Sequence, residues 1–180
     1  MNANSKNTLM EMLFDRGYTT VETIGDELEA TDPLTDKRIL VYYVADAKVN
    51  VKNIKTMKSH LDKIDVTRIA CLIIVYKYAI TTFAKQFISS DVKDLFVQIF
   101  SEKELSFNIT KHEFVPKHTL LSTVDRNAIL KRYNTKACHF PQILFTDPIS
   151  RYYGALPGDM MRIVRESETC GMHTLYRQVV

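Results

Sequence analysis

Long apolar runs are missing from this chain. No stretch of its 180 residues approaches the roughly 20 consecutive apolar residues that a membrane-spanning helix requires, so no membrane partner is expected. The opening MNANSKNTLMEML has neither a basic leading segment nor a long apolar core, which argues against a secretory signal. Cysteine is scarce: Cys71, Cys138 and Cys170 are odd in number and widely spaced, which argues against a disulfide framework and for a reducing compartment. A dominant charge sign is also missing. Residues 1–110 carry 14 Lys and Arg against 15 Asp and Glu, and residues 111–180 carry 10 against 6, so the halves stand at −1 and +4. Neither is a polybasic tail. Sequence-independent affinity for nucleic acid needs several cations on phosphates at once, so any such contact is expected to be local and weak. Internal repeats and low-complexity linkers are absent as well.

What remains is the composition of a soluble globular protein, 46% hydrophobic and 25% charged, in a length that suits one ordinary domain or two small ones. A first helix is expected over residues 4–17, with Leu9, Met12 and Leu13 on one face and Gly17 as its stop. The acidic residues Glu22, Asp26, Glu27 and Glu29 lead to a loop at 31–35. Residues 39–44 form a continuous apolar run that fits a strand buried on both faces. Residues 51–64 are amphipathic, with Ile54, Met57, Leu61 and Ile64 on one side and Lys52, Lys55 and Lys63 largely away from it. A strongly apolar strand over 69–76, a helix over 81–89 and a strand over 94–100 follow. Strand and helix in alternation predict a small α/β layer.

The densest local grammar lies further on. Ser122 and Asp125 have the spacing of a capping box, opening a helix that runs to about residue 133. Residues 114–121 read as extended, and 142–145 as a short strand. Asp147 can cap a helix whose first residue is Pro148, and Gly154 can close it with a left-handed turn. Leu156-Pro157-Gly158-Asp159 has the Pro-Gly pairing of a type II turn, so a strand should begin near Met160. A second strand over 173–180 follows a loop at 167–171. The class is therefore mixed α/β (α+β) in two domains, 1–110 and 111–180.

These motifs carry a resemblance. HEFVPKH at 112–118, LKRY at 130–133, DPISRYYG at 147–154, RIVRESETCG at 162–171 and YRQVV at 176–180 resemble, in order and spacing, the assembly domain of the small subunit shared by eukaryotic nuclear RNA polymerases, which has a shorter archaeal counterpart. Upstream, FDRGYTTVE, KTMK and IVYKYAITTFAK resemble that family's N-terminal jaw domain, which the archaeal counterpart lacks. The resemblance implies a non-catalytic polymerase subunit without cofactor or metal. Its C-terminal domain would dock on the largest subunit, and its jaw would lie beside downstream duplex DNA, held weakly and without base reading. It would work in the nucleus if cellular, or in a virion or viral factory if viral. For the DNA contact it points to Lys77, Tyr78, Thr82 and Lys85, although Thr82 and Phe83 stand where the family commonly has proline and serine. For the partner surface it points to His112, Pro116, His118, Asp147, Pro148, Arg151, Tyr152, Arg165, Ser167, Glu168, Thr169 and Arg177. Arginine and tyrosine in that density are also what interfaces use.

The residues by themselves raise other chemistry. His112 and His118 lack the further ligands a zinc site needs, because neither Cys138-His139 nor Cys170 and His173 completes a set. Ser122, Asp125 and His139 contain the atoms of a nucleophilic triad, without a nucleophile elbow or oxyanion loop. The sharpest enzymatic alternative is a metal-dependent nuclease of the restriction-endonuclease type, with Asp46-Ala47-Lys48 after a buried strand and Asp32 and Asp36 upstream. A stand-alone adaptor that borrowed the assembly domain is the third reading.

Overall fold

In the computed structural model the residues described are all but 25–26, 34–35, 47, 62–67, 92–94, 168 and 170. They form two compact units, 1–107 and 108–180.

The N-terminal unit runs α1 (Ala3–Asp15), β1 (Thr20–Ile24), β2 (Glu27–Thr31), β3 (Arg38–Val44), α2 (Val51–Leu61), β4 (Ile69–Tyr76), α3 (Thr82–Asp91) and β5 (Phe96–Ser101). Its sheet has the order β1-β2-β3-β4-β5. The pairs β1-β2 and β2-β3 are antiparallel, and β3-β4 and β4-β5 are parallel. The unbroken apolar runs of β3 and β4 follow from cover on both faces. On one face Leu40, Tyr42, Leu72 and Ile74 pack with Ile54, Met57 and Leu61 of α2 and with Ala84 and Ile88 of α3. On the other, Ile39, Val41, Cys71 and Ile73 are buried, as are Leu9, Met12 and Leu13 of α1. Polar bonds hold α1 there: the Arg16 guanidinium donates to Gln98 at 2.7 Å, and the backbone N–H of Asn2 donates to Glu102 at 2.6 Å.

One pair of strands was not assigned from the sequence. Glu22, Glu27 and Glu29, which lead to the loop, lie on the antiparallel pair β1-β2. Leu28 and Ala30 are buried while Glu29, between them, reaches across to Arg38 of β3 at 2.8 Å. The carboxylate thus marks the polar face of a strand, and the alternation is too short to announce itself among four acids. The helix expected to reach residue 64 is described through Leu61, and residues 62–64 lie outside the described residues.

The C-terminal unit has β6 (Lys117–Leu120), α4 (Thr123–Tyr133), β7 (Gln142–Ile143), α5 (Pro148–Tyr153), β8 (Met160–Ser167) and β9 (Gly171–Val179), with single 3-10 turns at Ile109–Lys111 and Ala137–His139. The sheet order is β6-β8-β9-β7, with β7 parallel to β9 and the other pairs antiparallel. Its core is small: Ile143, Ala155, Met161 and Val179, flanked by Leu120, Ile149 and Tyr153.

Local chemistry sets the boundaries. Ser122 accepts from the Asp125 N–H at 3.1 Å and donates its hydroxyl to the same residue's carboxylate at 2.8 Å. Asp147 accepts from the Ile149 N–H at 2.9 Å, and Gly154 ends α5 at φ 67°. Gly158 holds φ 98° in the turn closed by Asp159 N–H to the Leu156 carbonyl at 3.0 Å. Asp147→Ala is expected to destabilise the C-terminal unit by about 1 kcal/mol, the usual cost of a lost N-cap, read as a lower midpoint in urea denaturation.

Candidate functional site

The acids of the nuclease reading do not converge. Asp32 and Asp36 sit before β3, and Asp46 and Lys48 sit after it. The seven residues of β3, at about 3.3 Å each, hold the two groups roughly 20 Å apart, too far to share a metal ion. Two of the three acids have other work. Asp36 pairs with Arg68 at 3.2 Å, and Asp46 accepts from the Asn53 amide at 2.5 Å. Ala47 lies outside the described residues. Among the described residues no cluster of three His, Cys, Asp or Glu could hold a metal. Of the triad's atoms, Ser122 and Asp125 engage each other in capping α4, while His139 meets the Thr135 hydroxyl at 3.0 Å.

The residues expected to face DNA gather where β3 and β4 end. The Lys77 N–H donates to the Val44 carbonyl at 3.2 Å, and the Val49 N–H to the Ala79 carbonyl at 2.9 Å. The Thr81 hydroxyl donates to the Val49 carbonyl at 3.1 Å and accepts from the Ala84 N–H at 3.2 Å, capping α3. These bonds fix the turn and leave its side chains outward. Tyr78, Thr82 and Lys85 are exposed and Lys77 is half-exposed. The Lys77 ammonium lies 5.1 Å from the Tyr78 ring centre, and the Tyr78 hydroxyl beside it pushes its pKa up, so it stays cationic. Phe83, noticed in the sequence only as a departure from the family pattern, is 76% exposed. It lines an open concavity of about 440 Å³ with Asn50, Val51, Lys52 and Thr81.

Near the start of β4, at the far end of the sheet from this edge, Cys71 is buried, and burial pushes its thiol up from 9.0 to about 11, against the opposing pull of Arg16. Only the thiolate alkylates, and at pH 8 the group is almost wholly protonated. Iodoacetamide at that pH is therefore expected to label exposed Cys138 and spare Cys71 in the native chain, as peptide mass spectrometry would read. Equal labelling of the two would mean that the β4–α1 interface opens readily.

In the C-terminal unit the expected partner residues fall into three places. Exposed His112 tilts against Phe114, ring centres 5.6 Å apart, while His118 is buried with its Nδ1 2.6 Å from the Pro116 carbonyl. Asp147 and Pro148 open α5, where Arg151 is half-exposed. Tyr152 of the same helix is interior, 4% exposed, and its hydroxyl accepts from the Asn108 amide at 3.1 Å. On the hairpin β8-β9, Arg165 and Arg177 are exposed, and the Ser167 and Thr169 hydroxyls lie 3.3 Å apart. Glu168 lies outside the described residues.

Sequence reasoning missed the apolar part of this surface. Phe114, Val124, Leu144 and Met172 are each more than 60% exposed, and α4 has no buried residue at all. The signal was available in TVDRNAILKRY, which lacks the apolar stripe that packs a helix on its own domain. Tyr133 of α4 meets Phe140 at 5.8 Å and Tyr176 at 6.1 Å, edge to face, which gives this surface a firm aromatic base. Exposed apolar residues and arginines are thus numerous on this small unit.

The family model described as RNA polymerase Rpb5, C-terminal domain, matches residues 107–179. The DNA-directed RNA polymerases I, II, and III subunit RPABC1 of Caenorhabditis briggsae is 32% identical over 200 residues, covering 97% of this chain and 93% of that protein. Its namesake in Dictyostelium discoideum is 35% identical over 191 residues, covering 97% and 95%. The chain belongs to the Rpb5 family of RNA polymerase subunits. Among solved structures, an ATP-dependent Type ISP restriction-modification enzyme, LlaBIII bound to DNA, matches 78% of this chain and 10% of its own at 17% identity, with a TM-score of 0.44. A score that low supports no conclusion about either protein.

Proposed function

We propose that this chain is a non-catalytic subunit of a multisubunit DNA-directed RNA polymerase, anchored to the largest subunit by its C-terminal unit. The observation that carries this reading is the reach of the similarity, 97% of the chain across both units, in relatives that are themselves polymerase subunits. The exposed apolar and arginine surface of the C-terminal unit supports it independently. Docking would use His112, Pro116, Asp147, Pro148, Arg151, Arg165, Ser167, Glu168, Thr169 and Arg177. His118 and Tyr152 would act from inside by shaping the surface. The N-terminal unit would form part of the lower jaw. There Lys77, Tyr78, Thr82 and Lys85 would meet the backbone of downstream duplex DNA without reading its sequence. The subunit would add no chemistry of its own, and nucleotide transfer would belong to the two largest subunits. It would work in the nucleus of a cell, or in the virion or viral factory of a large DNA virus.

A pull-down of the tagged chain from its native source, with mass spectrometry of stoichiometric partners, tests this. Recovery of the two largest polymerase subunits at one-to-one is expected. Recovery of the chain alone, from lysate in which polymerase is intact, would overturn the reading.

A further inference from the structure

α2 and α3 share one core cluster and lie side by side, and their seam presents a pattern that the docking and jaw readings leave unused. On α2, Lys52 and Lys55 stand three residues apart, and on α3, Phe83 and Phe87 stand four apart, so each pair occupies one helix face. The result is two rungs of cation and aromatic ring. In one, the Lys55 ammonium lies 5.8 Å from the centre of the half-buried Phe87 ring. In the other, Lys52 and Phe83 line the same open concavity, and the Phe83 ring is left 76% in water. α2 carries three lysines and no carboxylate. An exposed phenyl offers nothing to a phosphate, and an exposed ammonium offers nothing to an apolar core. Together they fit a ligand that has both a flat apolar face and flanking negative charge, which is a nucleotide with its base turned out.

We propose that this seam is a base-stacking site for unpaired DNA: Phe83 stacks on one base, while Lys52 and Lys55 hold the neighbouring phosphates. The inference rests on the jaw reading of the N-terminal unit for its choice of DNA. It deepens that reading by naming the strand state, because a base inside a duplex shows no free face until it is unstacked. The phenyl stands where the family commonly has serine, so stacking would be a property of this chain's own sequence.

The test titrates the full chain, at low and moderate salt, into a short single-stranded oligonucleotide carrying 2-aminopurine and into the same sequence as a duplex. The single strand is expected to bind more tightly and to change the probe's fluorescence. Phe83→Ser, at an exposed position, is expected to remove that change and weaken single-strand binding by about tenfold, the scale of one stacked base, while leaving duplex binding in place. Phe83→Tyr should restore the signal. Removing both lysines should instead flatten the salt dependence, by about 0.7 in log–log slope per phosphate released. Equal affinity for both forms, or an unchanged signal in Phe83→Ser, would overturn the stacking site and leave the jaw reading standing. Absence of binding to either form at low salt would overturn both.

Discussion

Met161→Ala is expected to destabilise the C-terminal unit by about 2–5 kcal/mol and, with it, to lower incorporation into polymerase. Met161 is fully buried, and among the described residues it clusters with the buried Ile143, Ala155 and Val179. The Ser150 hydroxyl, also fully buried, rests against its sulfur at 3.8 Å, so the cavity left behind would strand a polar group as well. Truncating such a side chain costs about 2–5 kcal/mol. A domain of this size has roughly 4–11 kcal/mol to lose, at the usual stability per residue. Urea denaturation followed by tyrosine fluorescence and circular dichroism would measure the change, with Met161→Leu as the control at under about 1.5 kcal/mol. A loss below about 1 kcal/mol in Met161→Ala would mean that the unit's stability resides outside this core.

The second large effect is on binding rather than folding. Arg165→Glu with Arg177→Glu is expected to leave the melting temperature of the free chain within a degree or two and to lower retention in purified polymerase more than tenfold. Both side chains are exposed, and the strand register puts them on one face of the β8-β9 hairpin. Surface substitutions of this kind change stability by about half a kcal/mol. An arginine at the centre of an interface is commonly worth about 2 kcal/mol or more, and reversing its charge adds repulsion to the loss. Retention of the double variant at full stoichiometry would exclude these arginines from the docking surface.

Legibility in the sequence followed the range of the interactions involved. α5, its Asp147 cap, its Gly154 stop and the turn after it could be read because every partner lies within four residues. β4 could be read because a strand covered on both faces needs no alternation to be seen. The hairpin β1-β2 was hidden because what makes Glu29 a strand residue is Arg38, on a different strand. The interior place of Tyr152 was hidden for the same reason: its partner, Asn108, is 44 residues away. Asp46 and Lys48 were readable as a motif, yet the strand that separates them from Asp32 and Asp36 decided that they form no site. Phe83 was visible as a letter, but its exposure depends on where α2 and α3 meet.

The order β6-β8-β9-β7 places the strand made last between two made earlier. Val179, near the end of β9, is fully buried, and β7 pairs with β9 alone among the described strands. During synthesis the N-terminal unit can complete its sheet while the rest of the chain is still being added, since domains fold in the order in which they emerge. The C-terminal sheet cannot close until residues 171–179 have left the ribosome. A nascent or prematurely terminated chain therefore lacks a finished C-terminal sheet, and under the proposed docking, admission to the enzyme would double as a check that translation reached β9.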